Sequence, residues 1–318
     1  MKNIQKHMSS LLLPFTIFAA LLSGPFTASA TPLLGSDLAS FTVLGASTVT
    51  NVPTSTIVGN VGVWSSGGAN AISGFNSSPG VAVSDSQVTG GLVHAGTTSG
   101  TPNAMTAQFQ LTTALTNLGS LGAGTTLSNP DLTLAGTLFP GVYTVPAGTT
   151  NLSGALTLDG QGNANAAWIF QMASTLITSP NSVVNVTNTG AGAGLYWNVG
   201  SSATIDVNTT FMGNILAVTS ISMNTTATDL CGRALASTGA VTLDQNSLSG
   251  ICTGDLSGSS GLSGGLDVIT TPAGGTEVVF LPFVPVDGNG GVVPEPGTLL
   301  LVGAGLAGLA LVARRRKP

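Results

Sequence analysis

Short β-type runs follow one another closely from Leu33 to Leu248, and this pattern constrains the fold more than any other feature of the chain. Runs such as "TIVGNVGVW", "AWIFQM", "LYWNV" and "NILAV" are separated by Gly, Asn, Ser and Thr, and many lack a hairpin dipeptide. Strands this short must find partners in the chain above and below them. The pattern predicts a β-solenoid, in which each coil stacks on the next, with a β-sandwich as the alternative.

The composition agrees with a folded core made of small residues. Hydrophobic residues make up 42% of the chain, 44 of the 318 residues are Gly, and only 6% are charged. This combination argues against disorder. Between the two termini the chain has a single base, Arg233, against all 12 acids. Because a nucleic-acid binder needs clustered Lys and Arg to neutralise phosphates, we expect no nucleic-acid partner.

One segment departs from the strand pattern. Residues 101–120, "TPNAMTAQFQLTTALTNLGS", predict a helix over about 102–118, with Thr101 as the N-cap and Pro102 at the first helical position. Four apolar residues then share one face of this helix: Ala104, Leu111, Leu115 and Leu118. We expect this single amphipathic helix to lie against the outside of the β-structure.

The chain begins with the features of a secretory signal peptide over residues 1–30. Lys2 and Lys6 form a basic start, "SSLLLPFTIFAALL" is an apolar stretch, and "ASA" at 28–30 offers a small-residue cleavage site. A buried N-terminal helix is the alternative. The signal predicts export by the Sec route, which makes a disulfide permissible.

The other end carries a three-part pattern. Pro294, Glu295 and Pro296 precede an apolar stretch from Thr298 to Ala313, and a basic cluster at 314–317 follows directly. This order resembles the PEP-CTERM sorting tail of Gram-negative bacteria. The resemblance implies processing by an exosortase, membrane contact through the tail before processing, and a location at the cell surface or outside the cell.

These signals divide the chain into four parts. The signal peptide covers residues 1–30, and the β-solenoid domain covers 31–250. Residues 251–293 contain the Gly/Ser-rich stretch "TGDLSGSSGLSGGLD" and are predicted to be a flexible linker. Residues 294–318 form the sorting tail.

The sequence offers no set of residues for catalysis or metal binding. His94 is the only histidine after the signal peptide, and Cys231 and Cys252 lack a Cys-x-x-Cys or Cys/His pattern. The two cysteines either form a disulfide or remain free thiols. The acids that follow predicted strands suit turns rather than calcium, because no Asp-x-Asp-x-Asp spacing exists; they are Asp159, Asp206 and Asp244. We expect no enzyme activity, no metal and no cofactor.

An uncharged surface follows from four similar segments. "GALTLD" (154–159), "SSATID" (201–206), "TSISMN" (219–224) and "GAVTLD" (239–244) each alternate apolar with small residues. If these strands stack, the outward residues form one flat face: Ala155, Thr157, Ser202, Thr204, Ser220, Ser222, Ala240 and Thr242.

Such a face has a regular spacing of about 4.8 Å between coils and about 6.8 Å along a strand. These repeats are of the same order as oxygen spacings in ice, so the pattern suggests a surface that orders water and binds an ice crystal. The alternative explanation is that Thr is simply a favourable surface residue on strands.

Several blocks of this chain look like the microbial ice-binding β-solenoid family, over about residues 36–250. They include "SFTVLGASTVTN", "LTLDGQGNANAAWIFQ", "FMGNILAVTSISMN" and "GRALASTGAVTLDQN". The resemblance implies a mostly β, right-handed β-helix with three faces, a discontinuous order of coils and one long helix alongside. It also implies ice binding by one flat face, to which it adds Ser73, by a protein we expect to be a monomer. The alternative function is a structural or adhesive matrix solenoid with little ice activity. A polysaccharide-binding module is disfavoured, because Trp168 and Trp197 lie in strongly apolar strands and are predicted to be core.

Overall fold

The computed structural model describes residues 30–65 and 71–286. The predicted signal peptide, except for Ala30, and the predicted sorting tail with its apolar stretch lie outside these residues. Among these described residues, the helices lack the length and hydrophobicity that a membrane span requires.

The described chain folds into strands β1 to β25 and two α-helices. The helices are α1 (Ser36–Ser40) and α2 (Ala104–Ser120), and short 3-10 helices cover Leu132–Ala135 and Gly254–Leu256. The strands are β1 (Ala30–Pro32), β2 (Phe41–Gly45), β3 (Val49–Val52), β4 (Thr56–Val58), β5 (Asn60–Val63), β6 (Ile72–Ser73), β7 (Ala82–Val83), β8 (Val88–Thr89), β9 (Val93–Ala95), β10 (Thr125–Thr126), β11 (Thr137–Leu138), β12 (Gly141–Val145), β13 (Ala155–Asn163), β14 (Ala167–Met172), β15 (Leu176–Ile177), β16 (Val183–Thr189), β17 (Gly194–Val199), β18 (Ala203–Ile205), β19 (Thr210–Ala217), β20 (Ile221–Met223), β21 (Thr228–Ala236), β22 (Val241–Asp244), β23 (Ser247–Ser249), β24 (Leu266–Thr270) and β25 (Thr276–Phe280).

Most of these strands stack in parallel into a solenoid with three faces. The six-stranded face has the order β15-β18-β20-β22-β3-β6. The helix-covered face follows β10-β12-β14-β17-β19-β21-β2-β5-β9, with β7 added antiparallel at its end. The third face contains β11, β13, β16, the first residues of β19 and β21, and then β23, β4 and β8. Strands β19 and β21 bend around the corner between the third and helix-covered faces and join these two into one sheet.

The coils do not stack in chain order. The N-terminal strands β2, β3 and β4 pair in parallel with the C-terminal strands β21, β22 and β23. The first part of the chain therefore extends the stack beyond its last coil, and α2 follows before the chain begins the coils at the other end. This arrangement confirms the predicted β-solenoid with discontinuous coil order and excludes the sandwich.

The interior is formed by the inward residues of all three faces. In β22, Val241 and Leu243 are fully buried while Thr242 between them is exposed, as a two-residue period requires. Phe170 and Trp197 stack at 4.3 Å between ring centroids, deep inside the same core. Burying each such side chain stabilises the fold by about 1.5–3 kcal/mol.

One corner is formed by a column of residues in the left-handed conformation. Asn181, Asn208, Thr226 and Gln245 have φ values of 63°, 57°, 61° and 54°, and they connect the six-stranded face to the third face. Each amide N–H in this column donates to a carbonyl of the next coil. Asn tolerates this conformation better than most residues, which explains why turn-forming side chains follow the strands here.

The long helix is confirmed, but it begins later than predicted. Its N-cap is Asn103 and not Thr101. The side-chain oxygen of Asn103 accepts a hydrogen bond from the amide of Thr106 at 2.8 Å. An Asn side chain is among the best N-caps because it satisfies an amide that has no partner within the helix. The buried face of α2 contributes Leu111 and Leu118 to a second core, formed with outward residues of the helix-covered face.

The prediction of a flexible linker over 251–293 is wrong for the part that the structure describes. Residues 252–286, here called the strap, contain β24 and β25, which form an antiparallel sheet with β1. The prediction relied on the Gly and Ser content, yet apolar residues recur between them and become buried against the solenoid. These buried residues are Leu256, Leu262, Leu266 and Val278.

Buried polar groups attach the strap to the solenoid. The guanidinium of Arg233, which is 1% exposed, donates to the carbonyls of Ala39 and Ser260 and to the side chain of Asn214. The hydroxyl of Tyr196 donates to the carbonyl of Ser263 at 2.5 Å. Because these donors are buried, their bonds to the strap are strong and costly to lose.

A disulfide also joins the strap to the solenoid. It links Cys231 in β21 to Cys252, so the two cysteines are not free thiols. Asp229 lies two residues before Cys231 and is fully buried, and its Oδ2 atom has no hydrogen-bond partner among the described residues. Burial raises the pKa of Asp229 to about 8, although the nearby guanidinium of Arg233 opposes this shift.

Candidate functional site

The six-stranded face carries a row of small side chains that runs straight across the sheet. The parallel register pairs residue with residue, from one edge strand to the other. The residues of this row are Ile177, Thr204, Ser222, Thr242, Thr50 and Ser73. Five of the six have a hydroxyl group, and none is charged.

A second row lies two positions earlier in each coil. The amides of Leu176, Ala203, Ile221, Val241 and Val49 each donate to the carbonyl of the next residue in this row, so these flanking residues are aligned as well. The row consists of Thr175, Ser202, Ser220, Ala240, Thr48 and Ala71. It continues the hydroxyl and methyl surface towards the corner with the helix-covered face.

The flatness of this surface follows from what lies on each side of the sheet. The inward neighbours of the rows, such as Ile221 and Val241, are fully buried and anchor each strand. The outward side chains of the rows are short apart from Ile177 in the edge strand β15, so the other side chains of the rows stay close to the sheet. The rows repeat at about 4.8 Å across strands and about 6.8 Å along them. Threonine is also stiff at χ1, which holds its hydroxyl and methyl in fixed positions.

Two predicted residues do not belong to this surface. Ala155 and Thr157 lie in β13 on the third face, where they pair with Val183 and Asn185 of β16. Their segment has the same alternation as the other three, but alternation gives only the inward and outward sides of a strand. It does not tell which of three faces a coil segment occupies, and this limit explains the error.

The structure also adds residues that the sequence interpretation missed. Thr48 and Thr50 belong to the two rows because β3, from the first part of the chain, inserts between β22 and β6. Thr175 and Ile177 extend the rows at the other edge. The alternating run "STVTNV" carried the signal for Thr48 and Thr50, but its position next to β22 depends on the discontinuous stacking.

The third face is a less regular surface. Thr56, Thr228 and Ser247 point outward in one row, yet Leu230 nearby is 49% exposed and Met212 and Asn185 also lie on this side. These longer side chains interrupt the row. The six-stranded face is therefore the more even of the two uncovered faces.

The other candidate residues have structural roles. His94 is buried in β9, where a ring nitrogen contacts Asn60 Oδ1 at 3.1 Å, and burial lowers the pKa of His94. Asp206 accepts hydrogen bonds from the amide of Val207 and the side chain of Asn224 at the corner. Residues 30–65 and 71–286 contain no group of three or more His, Cys, Asp or Glu side chains that could hold a metal ion.

The two tryptophans of the apolar strands offer no platform for sugar rings. Trp168 and Trp197 are fully buried, as predicted. Their indole nitrogens donate to the carbonyls of Leu138 at 3.2 Å and Met212 at 3.0 Å. Arg233, the base that a polyanionic sugar would need, is buried under the strap.

Comparison with known proteins agrees with this geometry. The ice-binding-like family model matches residues 43–249, and the PEP-CTERM protein-sorting motif matches residues 292–317, beyond the described chain. An ice-binding protein from Nostoc sp. (strain HG1) is 38% identical over 87% of this chain and 84% of its own.

Solved structures are similar as well. A domain of Shewanella frigidimarina ice-binding protein 1 has a TM-score of 0.58 and 29% identity, and the match covers 69% of this chain and 97% of that domain. An ice-binding protein from an Antarctic biological consortium has a TM-score of 0.55 and 32% identity, over 69% of this chain and 91% of its own. The chain matches the family model, is similar in sequence to its relatives over most of their length and shares their solenoid. It therefore belongs to the ice-binding-like family.

Proposed function

We propose that the protein binds ice through the six-stranded face and thereby acts as an antifreeze or inhibitor of ice recrystallisation. The observation that carries this proposal is the pair of in-register rows of hydroxyl and methyl groups on a flat parallel sheet. The ice-contacting residues are Ser73, Ser202, Thr204, Ser220, Ser222, Ala240 and Thr242, together with Thr48, Thr50 and Thr175.

The mechanism is recognition of ordered water. Hydroxyl groups hold water molecules at fixed points, and methyl groups between them leave the surrounding waters to bond to one another. A regular grid of such groups matches a repeating lattice over many points at once, so weak contacts add together. The rows contain no charged side chain to disturb this layer.

Binding of this kind needs neither catalysis nor a cofactor, and we propose that the protein is not an enzyme. The acidic middle of the chain, with one base against 12 acids, supports the absence of a nucleic-acid partner. A matrix role with little ice activity is not favoured, because it does not account for the even rows on one face.

The sorting signals support export in a Gram-negative bacterium. We propose that residues 1–30 direct the chain through the Sec route and that an exosortase recognises the Pro294-Glu295-Pro296 motif. The tail would contact the membrane before processing and leave the domain at the cell surface or outside the cell, as a monomer.

Growth of a single ice crystal in a solution of the purified domain tests the proposal. The domain is produced as residues 31–286, because the strap is part of the fold. We expect a faceted crystal and a gap between the melting and freezing temperatures. A smooth disc with no such gap, from protein with a β-rich circular dichroism spectrum, would support the matrix alternative instead.

A further inference from the structure

Two serines of the second row are bound to the next coil through their own hydroxyl oxygens. The amide of Ser220 donates to Oγ of Ser202 at 3.3 Å, and the amide of Ala240 donates to Oγ of Ser220 at 3.2 Å. The hydroxyl oxygens therefore act as the acceptors of these two amides between successive coils. Because each amide is fixed in the stack, its bond selects one χ1 rotamer for the serine that accepts it.

These bonds leave the serine hydroxyls able to donate to water. A hydroxyl has one O–H donor and two acceptor lone pairs, and the amide uses one of the lone pairs. The O–H groups of Ser202 and Ser220 have no acceptor among residues 30–65 and 71–286. A hydroxyl that accepts a hydrogen bond is also a better donor, because bonds in a chain polarise one another. The two serines therefore present fixed and strengthened donors on the six-stranded face.

The hydroxyls of the first row are held differently. In the part of the chain that the structure describes, those of Ser222 and Thr242 make no hydrogen bond to the protein. Ser222 follows Ser220 by two residues, and both serines are half-buried. The hydroxyl of Ser222 can rotate among three staggered positions, whereas that of Ser220 is held in one. The two rows thus carry the same chemical group in a fixed and in a free form.

The series of bound hydroxyls stops at Ala240, whose methyl group offers no acceptor to the next coil. The next residue of the row is Thr48, and its amide has no acceptor within the described ranges. Before this point the backbone leaves room for the hydroxyl, since a Cβ at Gly239 would lie 2.2 Å from Oγ of Ser220. A serine at position 240 would therefore continue the series by one coil.

We propose that Ser202 and Ser220 are the residues of the ice-binding face that set the position of the first ordered water layer along the stack. This inference rests on the proposed function and names the side chains on which it depends most. A hydroxyl whose rotamer is already selected loses less freedom when ordered water forms on it than a rotating hydroxyl does. Water therefore orders first on the fixed donors, and the free hydroxyls of the first row adjust to it.

The experiment compares Ser220→Ala with Ser222→Ala in the full chain, purified in mild detergent. Both changes remove one oxygen from a half-buried serine of the same face, so each variant is the matched control of the other. Ser220→Thr, which keeps the oxygen, is the rescue variant. Thermal hysteresis is measured at equal protein concentration, and amide hydrogen exchange of Ala240 reports whether its acceptor has been lost.

We expect Ser220→Ala to lower the hysteresis about twofold or more, and Ser222→Ala to lower it less, because only the first change removes a fixed donor. Ser220→Thr should restore the hysteresis, and the amide of Ala240 should exchange faster in Ser220→Ala alone. An equal or larger loss of hysteresis in Ser222→Ala would overturn the inference and leave the proposed function in place. Absence of hysteresis in the unchanged protein would remove both.

A variant that adds a hydroxyl tests the inference from the other direction. Ala240→Ser supplies an acceptor for the amide of Thr48 and should raise the hysteresis, while the added hydrogen bond raises the melting temperature by about 1–4 °C. Ala155→Ser makes the same change at an exposed position of the third face and should leave the hysteresis unchanged. Hysteresis of folded Ala240→Ser at or below that of the unchanged protein would overturn the inference.

Discussion

The six-stranded face and the helix-covered face are built from the same parallel coils, but their outward residues differ. On the helix-covered face most of these residues are large and apolar, and α2 and the strap bury them. They include Phe41, Leu44, Ile169, Tyr196, Leu216 and Leu235. On the six-stranded face the outward residues of the two rows are Thr, Ser and Ala, apart from Ile177 at the edge, and neither α2 nor the strap covers them. Outward side chains therefore decide whether a solenoid wall becomes an internal interface or remains a binding surface.

Removing the strap should have the largest effect on the stability of the fold. A chain that ends after Gly250 loses Cys252 and the buried strap residues Leu262 and Leu266, and it leaves the guanidinium of Arg233 without its partner at Ser260. Loss of the disulfide costs about 2–5 kcal/mol, and each lost apolar side chain adds about 1.5–3 kcal/mol. Since the total stability of a domain is about 5–15 kcal/mol, we expect this chain not to fold.

Circular dichroism during heating measures this effect, with the chain that ends after residue 286 as the control. The control should melt cooperatively. Equal melting temperatures for the two chains would show that the strap contributes nothing and that the linker interpretation was adequate.

Within the six-stranded sheet, an inward and an outward residue of β22 should respond differently to the same substitution. Val241→Asp places a carboxylate in the core and should lower the free energy of unfolding by several kcal/mol. The same change at the next residue, Thr242→Asp, faces water and should stay within about 0.5 kcal/mol. Urea titration of both variants provides the comparison. Similar losses at the two positions would mean that the assignment of inward and outward residues is incorrect.

Under the strap, the buried Asp229 should make stability depend on pH. Its folded-state pKa is raised to about 8, so the folded chain keeps a proton that the unfolded chain releases above about pH 4. Stability should therefore fall as the pH rises from about 4 to about 8, and then level off. Asp229→Asn cannot titrate and should remove this contribution.

The measurement is the difference in unfolding free energy between Asp229→Asn and the unchanged protein at each pH. His94, whose lowered pKa acts in the opposite direction below about pH 6.5, cancels in this difference. We expect the difference to grow in favour of the variant between pH 4 and 8. A difference that does not change with pH would contradict the burial of an ionisable Asp229.

The sequence predicted the solenoid and its inward and outward residues well, because the two-residue period is a local property. Val241, Leu243 and Thr242 could be assigned from their order alone. The face on which a strand lies could not be assigned in this way, because Ala155 and Thr157 have the same local pattern as Ala240 and Thr242. Their separation depends on where each coil bends.

The strap shows a second limit. Its Gly and Ser residues are typical of a linker, but several of its Gly residues occupy left-handed turns that bring Leu262 and Leu266 into the core; Gly261 and Gly265, for example, have φ values of 61° and 74°. The bonds that stabilise these turns come from Arg233, Asn214 and Tyr196, which are distant in sequence. Such partners cannot be recognised without the fold.

Thermal hysteresis of Thr242→Tyr, set against Thr56→Tyr, tests the central claim most directly. Both changes place an aromatic ring on an exposed strand position, so both should keep the free energy of unfolding within about 0.5 kcal/mol. Only the ring at Thr242 rises from the proposed ice-binding rows and holds a lattice away from the neighbouring coils. We predict that Thr242→Tyr loses most of the hysteresis while Thr56→Tyr keeps it. Full hysteresis in folded Thr242→Tyr would contradict the account and show that the six-stranded face is only a wall of the solenoid.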